Sequence, residues 1–229
     1  MKKSFYSVLF LVIFTTSFSY AQQVPARLKA ALENPTQTRV LRLIYQQLTS
    51  IPESIGQLEN LKILNLNANR LTSLPKNIVK LKKLTELEVT RNSLRIFPEH
   101  ITQISSLRRL KLNHNKLTTI PKNIGKLQNL RRLDLDDNQL IAVDKNIGKL
   151  KNLKFLYLSQ NKLTSLPESI GNLQNLVMIY VQNNNLKTVP KSIAKLKKLT
   201  HLHLGGNPIS AAEYAKIRAL LPNCKVTGN

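Results

Sequence analysis

Two histidines, His201 and His203, and three carboxylates, Asp134, Asp136 and Asp137, come nearest in type and spacing to a metal or acid–base site. A His-x-His pair on one strand face supplies two of the four ligands that zinc prefers. The three aspartates lack the loop spacing that would supply the six or more oxygen ligands of a hard divalent cation. The sequence therefore predicts surface or interface histidines, no metal site and no cofactor.

Nucleophilic catalysis has no better support in the sequence. Cys224 is the one cysteine of the 229 residues, so an intrachain disulfide and a cysteine-built zinc site are excluded. A capping role as a small buried hydrophobe suits it better than a role as a nucleophile. The sequence carries no G-x-S-x-G, H-E-x-x-H or Walker motif. We therefore predict that the protein is not an enzyme.

All of these residues except Cys224 lie within an internal repeat of 23 residues, which must position them. Leucine opens every unit from Leu61 to Leu199, and apolar residues recur at the fourth and sixth positions. A repeat of this length indicates units that cannot bury their own apolar face and must stack. From Leu61 as position one, the ninth position is Asn in seven units: Asn69, Asn92, Asn115, Asn138, Asn161, Asn184 and Asn207.

The unit resembles the leucine-rich repeat, L-x-x-L-x-L-x-x-N-x-L, as in residues 130–140. Its second half, as in residues 166–173, is similar to the L-P-x-x-I-G-x-L variety of bacterial leucine-rich repeat proteins. Gln46 replaces the first Asn and Asp144 replaces one Pro. The resemblance implies an α/β fold: a right-handed β/α solenoid with a parallel concave sheet and short helical or extended convex segments.

The residues independently favour the same architecture. Alternation of x-Leu-x-Leu places leucines inward and the intervening residues outward, so each coil contributes one short strand. A buried Asn amide can both donate to and accept from backbone groups of adjacent coils. The ninth-position residues are therefore predicted to form a structural Asn ladder with no ligand role.

The two ends differ in composition from the repeat. Residues 1–21, with two lysines, an apolar run and Ser19-x-Ala21, have the layout of a cleaved signal peptide. Residues 22–37 predict an N-terminal helical cap, residues 38–209 a solenoid of eight coils, and residues 210–229 a cap of one helix and one strand. We expect export to periplasm, cell surface or medium, and no membrane span in the mature chain.

The outward strand positions predict a candidate contact surface. In three successive coils these positions hold aromatic, Met and His residues, which are enriched in the cores of protein interfaces. The alternative is cross-strand packing that merely covers the sheet. The predicted partner-binding residues are Phe155, Tyr157, Met178, Tyr180, His201 and His203.

The neighbouring coils predict a second, charged zone on the concave face. Charges of both signs on one surface usually indicate a solvated face, since exposed pairs contribute only about 0 to 1 kcal/mol each. They can still set the register of a partner. The residues of this zone are Arg109, Lys111, Arg132, Asp134, Asp136 and Asp137.

A formal charge of +23, from 35 basic and 12 acidic residues, brings acidic partners into consideration. Most of the excess is lysine in the second half of each unit, which we place on the convex flank. Stacked lysines suit acidic glycans or anionic envelope surfaces, although they also favour solubility. Nucleic acid is disfavoured, because no aromatic residues are interleaved with the lysines for base stacking.

The sequence thus predicts an exported leucine-rich repeat module that binds a protein partner on its concave sheet. The alternative is electrostatic binding of acidic glycans or envelope surfaces by the lysine flank. The resemblance further implies adhesion or host interaction, roles common among exported bacterial members.

Overall fold

The computed structural model describes residues 24–228, so the predicted signal peptide lies outside the described residues. Nine parallel strands form one sheet in sequence order: the eight that the repeat predicts and one from the C-terminal cap. Each strand contributes three residues. The strands are β1 (Val40–Arg42), β2 (Ile63–Asn65), β3 (Glu86–Glu88), β4 (Arg109–Lys111), β5 (Arg132–Asp134), β6 (Phe155–Tyr157), β7 (Met178–Tyr180), β8 (His201–His203) and β9 (Lys225–Thr227).

The register of the sheet follows the repeat without a slip from β1 to β8. Leu64 pairs with Leu87, and each later central leucine or isoleucine pairs with its neighbour one coil on. These central side chains are buried, whereas the flanking residues of each strand face outward. Successive side chains of a strand point to opposite faces, so one apolar column fills the core and two columns line the concave side.

The second half of each coil forms a short 3-10 helix on the convex side. A Pro precedes six of the seven and is extended at all but Pro98, and its missing N–H costs nothing at a helix start. Asp144 replaces that Pro in one coil, and its carboxylate accepts from the Asn146 amide at 2.8 Å. The helices are Glu53–Gln57, Lys76–Lys80, Glu99–Gln103, Lys122–Lys126, Lys145–Lys149, Glu168–Asn172 and Lys191–Lys195.

The glycine of the L-P-x-x-I-G-x-L pattern allows adjacent 3-10 helices to approach closely. A Cβ at Gly148 would lie 2.4 Å from the carbonyl oxygen of Ser169 in the next coil. A real Cβ cannot occupy that position, so the absence of a side chain sets the convex stacking distance there.

The ninth-position asparagines connect neighbouring coils through the core. Asn115 Nδ2 donates to the carbonyl oxygens of Val89 at 2.8 Å and Leu112 at 3.0 Å, and its Oδ1 accepts from the Leu94 amide at 3.0 Å. The same three bonds recur at Asn138, and equivalent ones in the other coils. Each amide satisfies backbone groups that would otherwise be buried without partners.

A second amide ladder, which is not among the features predicted from the sequence, runs along the outside of the stack. Asn129 Nδ2 donates to the Ser105 carbonyl at 2.9 Å, and Asn152 Nδ2 to the Gln128 carbonyl at 2.9 Å. Asn60 and Asn175 make the equivalent bond, each to a carbonyl 24 residues earlier in the chain. The signal was present in the sequence, since all four occupy the twenty-third position of the unit.

Two helices flank the strands. Helix α1 (Ala26–Glu33) buries Leu28 against the first coil. Helix α2 (Ala211–Leu220) begins after Ser210, whose hydroxyl accepts from the Glu213 amide at 3.2 Å. The Glu213 carboxylate accepts from Thr188 Oγ1 and pairs with Lys216, so it does not bond back to the start of the helix.

Candidate binding surface on the concave sheet

The fifth position of each coil lies on the concave face, and the sheet register aligns these positions into one row. We call this set the central row. From Asn65 onward its members change from polar to charged to aromatic along the solenoid, although the backbone beneath them repeats. The central row is Arg42, Asn65, Glu88, Lys111, Asp134, Tyr157, Tyr180 and His203.

The aromatic part of the central row is a continuous stack. The Tyr157 and Tyr180 ring centroids are 4.8 Å apart with 13° between the planes, and those of Tyr180 and His203 are 4.2 Å apart with 14°. Thr227 Oγ1 lies 2.7 Å from His203 Nδ1 at the end of the stack. Because the ring faces cover one another, the edges and the tyrosine hydroxyls are what the stack presents outward.

The third-position residues form a parallel row beside the stack. Phe155 pairs with Met178, and Met178 with His201, in the sheet register. All three are half-buried. The His201 and His203 ring centroids are 5.9 Å apart, and the pKa of His203 is lowered by burial and then by the charge of His201. The structure thus brings all six predicted contact residues into one aromatic patch.

Arg132 joins the aromatic patch to the charged zone. Its Cζ lies 4.1 Å above the Tyr157 ring, and its Nη1 donates to the Tyr157 hydroxyl at 3.1 Å. Its Nη2 donates to Asp134 Oδ2 at 3.1 Å. A guanidinium can stack on an aromatic face and bind a carboxylate at once, which fixes both neighbours.

The charged zone is largely neutralised within itself. Lys111 pairs with Glu88 and Arg109 with Glu86, the latter at 3.6 Å. Asn65 and Asn67 also donate to Glu88, at 2.7 and 2.9 Å. Glu88 is not among the residues predicted for this zone, although it occupies the same column as Lys111.

Opposing influences act on the Glu88 carboxyl. Burial, the largest single influence, raises its pKa, but the hydrogen bond and charge of Lys111 together with the hydrogen bond from Asn67 leave the pKa below its ordinary value. The carboxylate is therefore the stable form at neutral pH. It is buried and fully bonded, so it acts as a positioning group for the row.

The three aspartates separate into different environments. Asp136 lies beside Asp134, and burial and then the Asp134 charge raise the pKa of Asp136 to about 7. Asp136 Oδ1 accepts from the Ser159 amide at 2.6 Å. Asp137 instead pairs with His114. Within residues 24–228, no three His, Cys, Asp or Glu side chains come together in an arrangement suited to a metal ion.

His114 and Asp137 also share an unusual backbone conformation. Both have a φ of 52°, and the eighth position of every coil lies in this left-handed region. In the last coil it is Gly206, where a Cβ would lie 2.0 Å from Asn183 Oδ1. The turn that precedes each Asn of the ladder requires this backbone conformation, which residues other than Gly adopt at a modest cost in free energy. This conformation is not among the features predicted from the sequence, although Gly206 and Asn183 in one column indicate it.

Comparison with known proteins decides the family. The profile described as "Leucine-rich repeat region" matches residues 19–140 and 137–220, which is most of the chain. The chain belongs to the leucine-rich repeat family. The predicted fold and family are thereby confirmed.

Solved leucine-rich repeat proteins share the architecture. A leucine-rich repeat protein of Leptospira interrogans is 40% identical with a TM-score of 0.73 over 82% of this chain. This chain spans 54% of that protein's length. Internalin C2 of Listeria monocytogenes is 29% identical with a TM-score of 0.73, over 83% of this chain and 80% of its own.

A plant receptor is also similar. The leucine-rich repeat ectodomain of the Arabidopsis thaliana membrane receptor kinase GASSHO1/SCHENGEN3, solved in complex with CASPARIAN STRIP INTEGRITY FACTOR 2, is 32% identical with a TM-score of 0.60. The match covers 77% of this chain and 25% of that one. A search of curated proteins finds no significant match.

The family and the geometry agree on the kind of activity. Leucine-rich repeats are interaction modules whose curvature creates an extended concave binding surface. No helix in the described residues has the length and apolarity needed to cross a bilayer.

Proposed function

We propose that this leucine-rich repeat protein is exported and binds a protein partner through the aromatic patch of its concave sheet. The observation that carries the proposal is the ordered stack of Tyr157, Tyr180 and His203, flanked by Phe155 and Met178 on one open face. Stacked rings have little rotamer freedom left to lose, so their ordering does not oppose binding. Their outward edges and hydroxyls suit a contact that is part apolar and part polar.

The stack also supports the alternative of cross-strand packing, because each ring covers its neighbour. Packing alone, however, does not require the neighbouring third positions to be apolar. Phe155 and Met178 extend the patch sideways, beyond the stack. This lateral extension favours an interface over a simple cover for the sheet.

Export and a role in adhesion or host interaction belong to the same proposal. The layout of residues 1–21 supports export. The similarity to internalin C2 of Listeria monocytogenes supports a bacterial leucine-rich repeat protein that acts outside the cytoplasm. The partner can belong to the same cell or to another.

A second candidate function uses the convex lysines. Lys122, Lys145 and Lys191 each begin a 3-10 helix at the same coil position, and all three are exposed. Glu168 occupies the same position in the coil between Lys145 and Lys191, so the three lysines form a basic field with one acidic interruption, suited to acidic glycans or anionic envelope surfaces. This binding would be strongly salt-dependent.

One capture experiment separates the two candidates. The immobilised protein is exposed to cell-surface extract at low and high salt, beside two variants. The first is Phe155→Ala/Tyr157→Ala/Tyr180→Ala, and the second is Lys122→Gln/Lys145→Gln/Lys191→Gln. Circular dichroism and thermal unfolding show whether each variant folds.

If the aromatic patch is the binding site, a protein is captured at both salt concentrations, and its capture is lost only with the folded aromatic variant. Capture that persists in the aromatic variant and disappears with salt or with the lysine variant would overturn it in favour of the convex flank.

A further inference from the structure

A cleft of about 610 Å³ opens on the concave side across β3 to β6, next to the aromatic patch. Six of its nine lining residues are basic, and one, Glu86, is acidic. Phe155 forms an apolar wall at the end that adjoins the aromatic patch. The cleft therefore combines a strong positive charge with one hydrophobic side.

Three of the basic residues form a row of their own at the second coil position. The Arg131 amide donates to the Arg108 carbonyl at 2.8 Å, and the Lys154 amide to the Arg131 carbonyl at 2.9 Å. These bonds place the three residues on consecutive coils. We call Arg108, Arg131 and Lys154 the cationic row.

The cationic row differs from the other basic residues of the cleft in its pairing. Arg109, Lys111 and Arg132 each have a carboxylate partner. Within residues 24–228, no carboxylate pairs with Arg108, Arg131 or Lys154, and all three are exposed. Their charges are therefore available to a ligand.

We propose that the cationic row binds a short acidic peptide segment of the protein partner, with an adjoining apolar residue of that segment against Phe155. This inference rests on the proposed function and specifies the chemistry that the partner presents. Guanidinium groups bind carboxylates with two parallel hydrogen bonds, which gives geometric selectivity as well as attraction.

The dimensions of the cationic row fit an extended peptide. Adjacent strands lie about 4.8 Å apart, so the three side chains originate over about 10 Å. An extended chain rises about 3.3 Å per residue, so four consecutive residues, separated by three rises, span this length. Side chains at positions i and i+2 point to the same side, so two acidic residues separated by one other residue can face the row together.

The mixed charge of the surrounding surface favours a peptide over a uniform polyanion. Glu86 lines the cleft, and Asp134 and Asp136 lie on the neighbouring part of the concave face. A sulfated glycan carries negative charge along its whole length and would face these carboxylates as well. A peptide can place acidic residues only where the cationic row lies.

Fluorescence anisotropy with defined probes tests the inference. The probe is a fluorescein-labelled octapeptide that alternates Glu and Val, with a Gln-for-Glu peptide and a fully sulfated hexasaccharide as comparisons. The cleft variant is Arg108→Gln/Arg131→Gln/Lys154→Gln. The matched control is Lys122→Gln/Lys145→Gln/Lys191→Gln, which removes the same charge from the convex side.

We expect the protein to bind the Glu peptide but not the Gln peptide. The cleft variant should weaken binding of the Glu peptide on the order of 10- to 100-fold, and the control should weaken it little. Absence of Glu-peptide binding, or equal weakening in both variants, would overturn the inference. So would a cleft-dependent preference for the hexasaccharide. Loss of partner capture in the aromatic variant is measured separately, so the proposed function can stand if the acidic-peptide inference fails.

Discussion

The central row has an ionic half on β3 to β5 and an aromatic half on β6 to β8, over the same backbone. In the ionic half, Glu88 and Lys111 neutralise each other and Asp134 is held by Arg132. In the aromatic half, Tyr180 stacks on both of its neighbours. The side chains of the central row thus contact one another or Arg132 in each half, through ion pairs in the ionic half and through stacked rings in the aromatic half.

This difference shows how a regular solenoid separates stability from recognition. The core leucines and the Asn ladder are the same under both halves. The outward residues can then change from coil to coil with little effect on the backbone. The groups left available are those beside the central row: the cationic row next to the ionic half, and Phe155 and Met178 next to the aromatic half.

The largest expected effect tests whether the two halves share one scaffold. Asn115 lies under the ionic half and Asn161 under the aromatic half, and each is replaced by Ala. Each replacement removes bonds to two carbonyls and one amide in the core, so each should lower the free energy of unfolding by about 3 kcal/mol. Denaturant titration measures both. Asn152→Ala, which loses one exposed bond, is the control and should cost about 1 kcal/mol or less.

Losses in the free energy of unfolding that differ by more than about 1 kcal/mol between the two core substitutions would show that the halves do not share one scaffold. Local context accounts for smaller differences.

The next effect concerns the ion pair of the ionic half. Lys111→Met keeps the alkyl chain but leaves the buried Glu88 carboxylate without its cation. We expect a loss of about 2 kcal/mol at pH 7 in the free energy of unfolding, because an unpaired buried charge is destabilising. The loss should shrink toward pH 4, where the variant's carboxyl is protonated. Lys116→Met removes an exposed lysine and should have almost no effect; equal losses in the two would contradict the pairing.

Asp136, at the junction of the halves, should give a pH-dependent effect. Its folded pKa of about 7 lies above the reference value of 3.8, so the folded state binds the proton more tightly. The stabilisation is complete below about pH 4 and is lost as the pH rises through 7. Asp136→Asn keeps an acceptor for the Ser159 amide and should be about 1 to 2 kcal/mol more stable than wild type at pH 8, after allowance for partial exposure.

Denaturant titrations of wild type and Asp136→Asn from pH 4 to 8 measure this difference. Its gain should grow as the pH rises above about 4 and level off above pH 7, because only between the two pKa values do the folded and unfolded states differ in bound protons. A difference that stays constant with pH would show that the Asp136 carboxyl is not held protonated by its surroundings.

The smallest effect belongs to the aromatic half. Tyr180→Leu removes the middle ring of the stack and should cost about 1 kcal/mol, with little dependence on salt. Tyr180→Phe keeps the ring and should differ from wild type by less than about 0.5 kcal/mol. Thermal unfolding at low and high salt measures both. A strong salt dependence for Tyr180→Leu would erase the distinction between the two halves.

The 23-residue period of the sequence alone predicted most of the fold and placed the candidate residues side by side. The 23-residue period was enough to predict that Tyr157, Tyr180 and His203 would be neighbours, because parallel strands in register repeat the same positions at a fixed spacing. It could not predict how Arg132 divides its contacts between Tyr157 and Asp134. Rotamers depend on the neighbours of each side chain, and a repeat pattern does not contain them.

The sequence by itself determined the solenoid, its register and the chemistry of each column, because periodic apolar residues can be buried only by stacking. The tertiary structure alone decided which charges cancel and which stay available. Lys111 meets Glu88, whereas Arg108 and Arg131 have no carboxylate partner among the described residues. Asp136 likewise takes up its proton near neutrality only because folding places it away from water and beside Asp134. Pairing and desolvation depend on distances between side chains, and only the folded chain sets those distances.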